Sequence, residues 1–465
     1  MIGLALAAIA FLQVAQDARP AGWVLGGTNP SGYVMTATGV ATDAEGATLM
    51  LRSTTAAPTA FGSINDRTPA DTLRARRVRI SADIETRDVS TSASVWLRAD
   101  SGTSMLVIDV GADQRFKGSA GPRHMDVTVF VPSSATHLVF GLLLSGTGEV
   151  TARNVRVAAR PVTTAIAPDA RRELDSAIAL VRRHSLWRDT VTWSRVEPDV
   201  RAIAAGSETT NDVIPAIRAL LLRLGDHHSF LMKPQGADAF RTGGAENARP
   251  VIRVQTDGIG YVSVPAYSGA DRTAAMTYVR SFQDSLSQVV ARGAGACRWI
   301  VDLRGNGGGN MWPMLGGLRP FLGDAGLGSF VSAEGSQPLW RARDGFAVEP
   351  NATIAPLESA YVAVLTSPRT GSSGEAVEIS FIGRPRTRSF GLPTAGLSTS
   401  NSSYALPDGS MIFLTTAVEA DRLGKRYGEK ITPDEVVPAG APNAISDPQL
   451  ERAVGWLNSQ TCPAR

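Results

Sequence analysis

Up to about residue 160 the hydrophobic period of this chain is that of strands alone, and helical spacing enters only after about residue 168, so the chain must build two kinds of layer. Before that point, short alternating apolar runs at 77–84, 93–98, 105–110, 125–131 and 137–144 are separated by Gly, Ser, Thr and Pro. Repeated short strands with turn chemistry, and no long stretch of helical spacing, predict an antiparallel β-sandwich of jelly-roll-like type over residues 19–160. No nucleophile and base are clustered there, so its expected role is binding or support. The pattern breaks at 161–168, and apolar residues then return at helical spacing in Leu174, Ile178 and Val181. A further helix is expected at about 211–224, with Ile214, Ile217, Leu220, Leu221 and Leu224 on one side, so that 167–235 reads as a helical subdomain. From 250 to 465 strands and helices alternate. Apolar runs at 260–264, 298–303, 361–365 and 411–416 read as strands, while 272–290 and 448–457 read as helices, which predicts an α/β domain.

A length of 465 residues exceeds what one core organises, in keeping with this division into several domains. Hydrophobic residues at 43% and charged residues at 19% are ordinary globular values, and the net charge of +3 is scattered rather than gathered into a stripe. A nucleic-acid footprint would need that stripe, so no nucleic-acid partner is expected. Residues 2–12 form an apolar run of secretory length followed by small residues at 14–18, although no Lys or Arg follows Met1. A signal peptide over 1–18 and a periplasmic or secreted mature chain are expected, and the run is too short to span a bilayer. The two cysteines, Cys297 and Cys462, could bridge in an oxidising compartment if the fold brought them together, or stay as buried thiols.

Three segments carry chemistry. Thr370-Gly371-Ser372-Ser373-Gly374-Glu375 follows an expected strand and precedes an apolar-periodic stretch, which puts the serine pair at a strand-to-helix turn. A hydroxyl there lies at the positive end of a helix dipole, beside N–H groups free to hold an oxyanion, although most serines in such a place simply cap the helix. The second, Asp302-Leu303-Arg304-Gly305-Asn306-Gly307-Gly308-Gly309-Asn310, is a glycine-rich turn that lets backbone approach a substrate atom. It lacks the Gly-Lys-Ser/Thr ending of a phosphate loop and the Gly-x-Gly-x-x-Gly of a dinucleotide site, so no cofactor is expected. The third, Gly225-Asp226-His227-His228-Ser229, holds two of only five histidines on a loop. Adjacent rings serve one metal poorly compared with an i, i+4 helix pair, which favours a base over a zinc ligand, so no metal is expected.

These segments, in this order, resemble peptidase family S41, which includes the C-terminal processing proteases and the protease core of tricorn. The resemblance runs over about 167–437 and includes Ile259-Gly260-Tyr261-Val262, Phe390-Gly391-Leu392-Pro393-Thr394 and Pro433-Asp434. It implies a ClpP/crotonase-like α/β core, with Ser372 as nucleophile and the N–H groups of Ser373 and Gly308 as oxyanion donors. The processing-protease branch places a lysine base where this chain has Leu397, whereas the tricorn-like branch uses a loop histidine matching His228. That branch also has an orienting glutamate at the position held here by Tyr427, so the acidic partner is expected at Asp421 or Glu429. The segment between Phe230 and Pro250 is too short to hold an inserted PDZ domain. A serine peptidase acting on peptide or protein substrates through an acyl-enzyme is therefore expected. The alternative is a catalytically weakened relative that recognises peptide or carbohydrate through its sandwich.

Overall fold

The computed structural model describes residues 22–54, 61–111, 114–160, 164–243, 247–255, 257–292, 297–344, 357–440 and 446–462. The expected signal segment at 1–18 lies outside them. The chain divides into two compact units, one of residues up to Asp175 together with Trp193–Leu220, the other of Ser176–Thr192 and Leu221–Arg465. The helical stretch expected as a subdomain at 167–235 is thus shared between the units, and the Pro168–His184 helix contributes residues to both.

In the first unit, nine antiparallel strands make a β-sandwich whose hydrogen-bonded path turns on the 25-residue strand Arg77–Ser101. Its first half pairs with Phe116–Phe130 and Glu149–Ala159, its second with Ser104–Asp109 and His137–Ser145. The runs at 77–84 and 93–98 are therefore one strand serving two neighbourhoods. Val78, Ile80, Ala82 and Ile84 are buried in alternation with half-exposed Arg79, Ser81, Asp83 and Glu85, as a two-residue period requires. They join Leu49, Leu51, Ile64, Val95 and Phe140 in one core. The buried Arg77 donates to the carbonyls of Ile203, Ala205 and Asp212 and to Ser207 Oγ, fastening this strand to the helical part of the same unit.

In the second unit, a six-stranded sheet runs in the order Val251–Val254, Gly260–Ser263, Arg298–Asp302, Tyr361–Thr366, Thr387–Gly391 and Glu435–Val436. The first pair is antiparallel and the rest are parallel. Two helices stand where they were expected, Arg272–Ala291 capped by Asp271 and Pro448–Asn458 capped by Asp447, and a further one, Met311–Leu322 capped by Asn310, follows the glycine-rich turn. A second sheet pairs Met411–Asp421 with Phe230–Met232, Gly328–Ser332 and Thr399–Ala405. Cys297 and Cys462 are bonded, with Cα atoms 5.8 Å apart, tying the start of the Arg298–Asp302 strand to the end of the last helix. No helix among the described residues is long and apolar enough to cross a membrane.

Two features of this architecture position the site. Arg298–Asp302 and Tyr361–Thr366 are neighbouring parallel strands with Asp302 opposite Leu365, so the glycine-rich turn and the serine turn leave the sheet side by side at its carboxyl edge. Ligand crevices in parallel sheets form at such edges. The Phe230–Met232 strand pairs with Met411–Phe413, which draws the histidine loop onto the same hairpin as Thr399–Ala405.

Candidate active site

Ser372 ends the loop after Tyr361–Thr366 and stands at the N-cap of the Ser373–Phe381 helix, in a capping-box relation with Glu375. Its backbone has φ +52° and ψ −126°, a conformation that a side chain with a Cβ adopts only under strain. The loop is sewn to the glycine-rich turn. Thr370 Oγ1 donates to Leu303 O at 2.8 Å, Gly371 N to Asn306 O at 3.0 Å, and Ser373 Oγ to Gly309 O at 2.7 Å. Gly374 is required by this closeness, since a Cβ there would collide with the Asn306 carbonyl. Buried Glu375 accepts from Ser372 N (2.8 Å), Thr394 Oγ1 (2.5 Å), Gly396 N (2.9 Å) and Leu397 N (2.8 Å). Burial raises its pKa and those donors pull it back.

The histidine loop is held by Asp226, whose carboxylate accepts from the N–H groups of His228 (3.3 Å) and Ser229 (3.0 Å) and from Ser229 Oγ (2.6 Å). His227 takes φ +34° and is exposed, so the doublet separates its rings and only His228 turns inward. His228 Nε2 lies 2.9 Å from Ser372 Oγ, and its Nδ1 lies 2.6 Å from Thr399 Oγ1. Burial lowers the imidazole pKa to about 4, with Asp226 pulling weakly the other way. Beside the ring opens a cleft of 1120 Å³ bordered by Trp187, Asp226, Glu378, Leu397, Thr399 and Tyr427, among others.

The oxyanion donors expected at Gly308 and Ser373 stand differently. Gly308, at φ +104°, is so near the serine that a Cβ would lie 2.7 Å from Ser372 Cβ. Its N–H, however, donates to Asn306 Oδ1 at 3.0 Å. Ser373 opens the helix, where an N–H has no partner within the helix.

Neither expected acidic partner is hydrogen-bonded to His228. Asp421, at the end of Met411–Asp421, accepts from Leu423 N (2.8 Å), Lys425 N (3.1 Å) and Tyr427 OH (2.9 Å), and so closes its own turn. Glu429 is exposed on the rim of the cleft, with its carbonyl bound by Ser398 Oγ. The residue at the far nitrogen is Thr399, which local pattern did not single out, because a polar alternating strand offers many hydroxyls and only sheet pairing selects one. The arginine-rich stretch 384–388 is not simply a solvated surface loop. Arg384 is buried and donates to the carbonyls of Phe321, Leu357, Glu358, Ala360 and Pro385 and to Thr387 Oγ1. Among the described residues, no group of three or more His, Cys, Asp and Glu could hold a metal ion.

Residues 258–437 match the family model of peptidase family S41. The chain is 29% identical over 283 residues to the nisin-resistance protein of Lactococcus lactis subsp. lactis, covering 59% of this chain and 83% of that protein. It is 30% identical over 131 residues to an uncharacterised HTH-type transcriptional regulator of Bacillus subtilis, YbfP, covering 28% of this chain and 44% of that protein. Among solved structures, a lipoprotein from Streptococcus agalactiae superposes with a TM-score of 0.52 at 23% identity over 63% of this chain and 98% of that one, a likeness of fold. The resemblance to peptidase family S41 is thus carried by residues 258–437, the domain that matches the family model.

Proposed function

We propose that this chain is an exported serine peptidase in which His228 takes the proton of Ser372 and Ser372 attacks the scissile carbonyl of a peptide. The observation that carries this is the 2.9 Å contact between Ser372 Oγ and His228 Nε2, made by a serine in a strained turn at a helix N-terminus. Attack forms an acyl-enzyme, His228 returns its proton to the leaving amine, and water then releases the acid by the same base. The N–H groups of Ser373 and Gly308 hold the oxyanion, which requires Gly308 to release Asn306 Oδ1 as substrate enters. Leu397, where the processing-protease branch has lysine, supports the histidine-base branch. The Cys297–Cys462 bond supports an oxidising, extracytoplasmic location.

A fluorophosphonate probe tests the assignment. Wild type is expected to label, Ser373→Ala to keep labelling, and Ser372→Ala and His228→Ala to lose it by at least about 10³-fold. Loss in Ser373→Ala alone would move the nucleophile by one residue. A folded wild type that neither labels nor cleaves a broad peptide library, with nisin included because of the relative's name, would instead favour a recognition protein working through its sandwich.

A further inference from the structure

A base that accepts the Ser372 proton at Nε2 must carry its own hydrogen on Nδ1, and whatever faces Nδ1 must accept it. In carboxylate-assisted sites an acceptor-only group enforces that tautomer. Here the group facing Nδ1 is a neutral hydroxyl 2.6 Å away, on a residue only 7% exposed. Its position is over-determined. Thr399 opens a strand paired with Met411–Asp421, opposite Val418, and Asn401 on that strand donates its amide to His228 O at 2.9 Å. Strand and histidine loop are therefore tied to one another.

We propose that Thr399 is the positioning residue of this site, holding His228 in its Nδ1–H tautomer through a hydroxyl that stands in for a carboxylate. The inference rests on the Ser372–His228 assignment above. Thr399 Oγ1 has no second hydrogen-bond partner among the described residues and borders the cleft. When it accepts from Nδ1–H, its own proton turns toward the cleft, to water or to a substrate carbonyl. The same hydroxyl can also donate to Nδ1, which would leave the hydrogen on Nε2 and disarm the base, so an acceptor supplied from the cleft favours the productive state.

A neutral partner leaves the imidazolium formed during attack without a counter-charge at Nδ1. The charged group acting on the ring is Asp226, on its own loop and engaged with backbone; Lys425, Arg426, Glu429 and Lys430 line the cleft from the turn opposite. With burial holding the imidazole near 4, the ring stays neutral down to acid pH, and the base is lost only as pH falls through that value.

The test is the second-order rate of fluorophosphonate labelling of the full chain between pH 4 and 9, together with ¹⁵N NMR of labelled histidine. Thr399→Ser is expected within about threefold of wild type with the same acid limb. Thr399→Val is expected to label about 10–100-fold more slowly, with unchanged thermal midpoint and a mixed or inverted His228 tautomer. Thr399→Val labelling at the wild-type rate with an unchanged tautomer, while Ser372→Ala is dead, overturns this inference and leaves the nucleophile standing. A wild type that fails to label removes both.

Discussion

A serine held at φ +52° stores about 1–3 kcal/mol of strain, and the four donors converging on Glu375 show how this chain sustains it, by tying the Ser372 N–H to the 394–397 loop. Glu375 has two acidic neighbours without such donors. Glu378 and Glu419 are 1% and 2% exposed, each has an unpaired Oε2, and burial raises both well above the usual carboxylate range, with Glu375 adding repulsion. An acid whose folded pKa exceeds its unfolded one keeps its proton in the native state while the unfolded chain releases it, so stability falls as pH rises through the window above about 4.5. Glu378→Gln removes that loss. It should raise the thermal midpoint at pH 8 and leave it nearly unchanged at pH 5, and equal shifts at both values would show that burial is not what governs Glu378. Of the residues at this site, Ser372 and His228 were legible in sequence because each lies in a short segment of unusual composition. Thr399 was not, since nothing distinguishes it from Ser398, Ser400 or Ser402 until the strand is paired.

At the scale of elements, the site depends on turns that close against one another, and Arg384 is the clearest case. Its guanidinium gathers carbonyls from the end of Met311–Leu322, from the turn before Tyr361–Thr366 and from the entry to Thr387–Gly391. Burial lowers its pKa to about 10, which leaves it charged at neutral pH, neutralised by carbonyl dipoles rather than by a carboxylate. Arg384→Met strands several buried carbonyls at once and is expected to cost about 3 kcal/mol or more in urea denaturation. Arg384→Lys should recover little, because a point charge with three donors cannot span the same fork. A loss under about 1 kcal/mol would mean that the carbonyls find water instead. The sequence placed the helices 272–290 and 448–457 almost to the residue, since each has an aspartate cap and an unbroken apolar side. The Trp193–Ala204 helix escaped notice because Pro198 lies inside it and its apolar side is narrow.

On the scale of the whole molecule, the Cys297–Cys462 bond closes a loop of 165 residues around nearly all of the parallel sheet. A loop of that length restricts the unfolded chain by about 5 kcal/mol in the chain-entropy account. The bond lies at the start of Arg298–Asp302, while the glycine-rich turn leaves its other end, about 15 Å away at the rise of a strand. Replacing both cysteines by alanine is therefore expected to lower the unfolding midpoint under oxidising conditions, yet leave probe labelling of the folded protein at 20 °C within about twofold. A large loss of labelling with little change in stability would place the bond in the chemistry rather than in the frame. By itself the sequence determined the two kinds of layer, the order of the S41 segments and the strand-to-helix turn at Ser372, because periodicity and turn chemistry are local. Only the tertiary structure decided that Gly308 turns its N–H to Asn306, that Arg384 is an internal tie, and that His228 meets Thr399, 171 residues away, instead of Asp421 or Glu429. Those partners are chosen by sheet register and loop closure, which bring together groups that no local pattern relates.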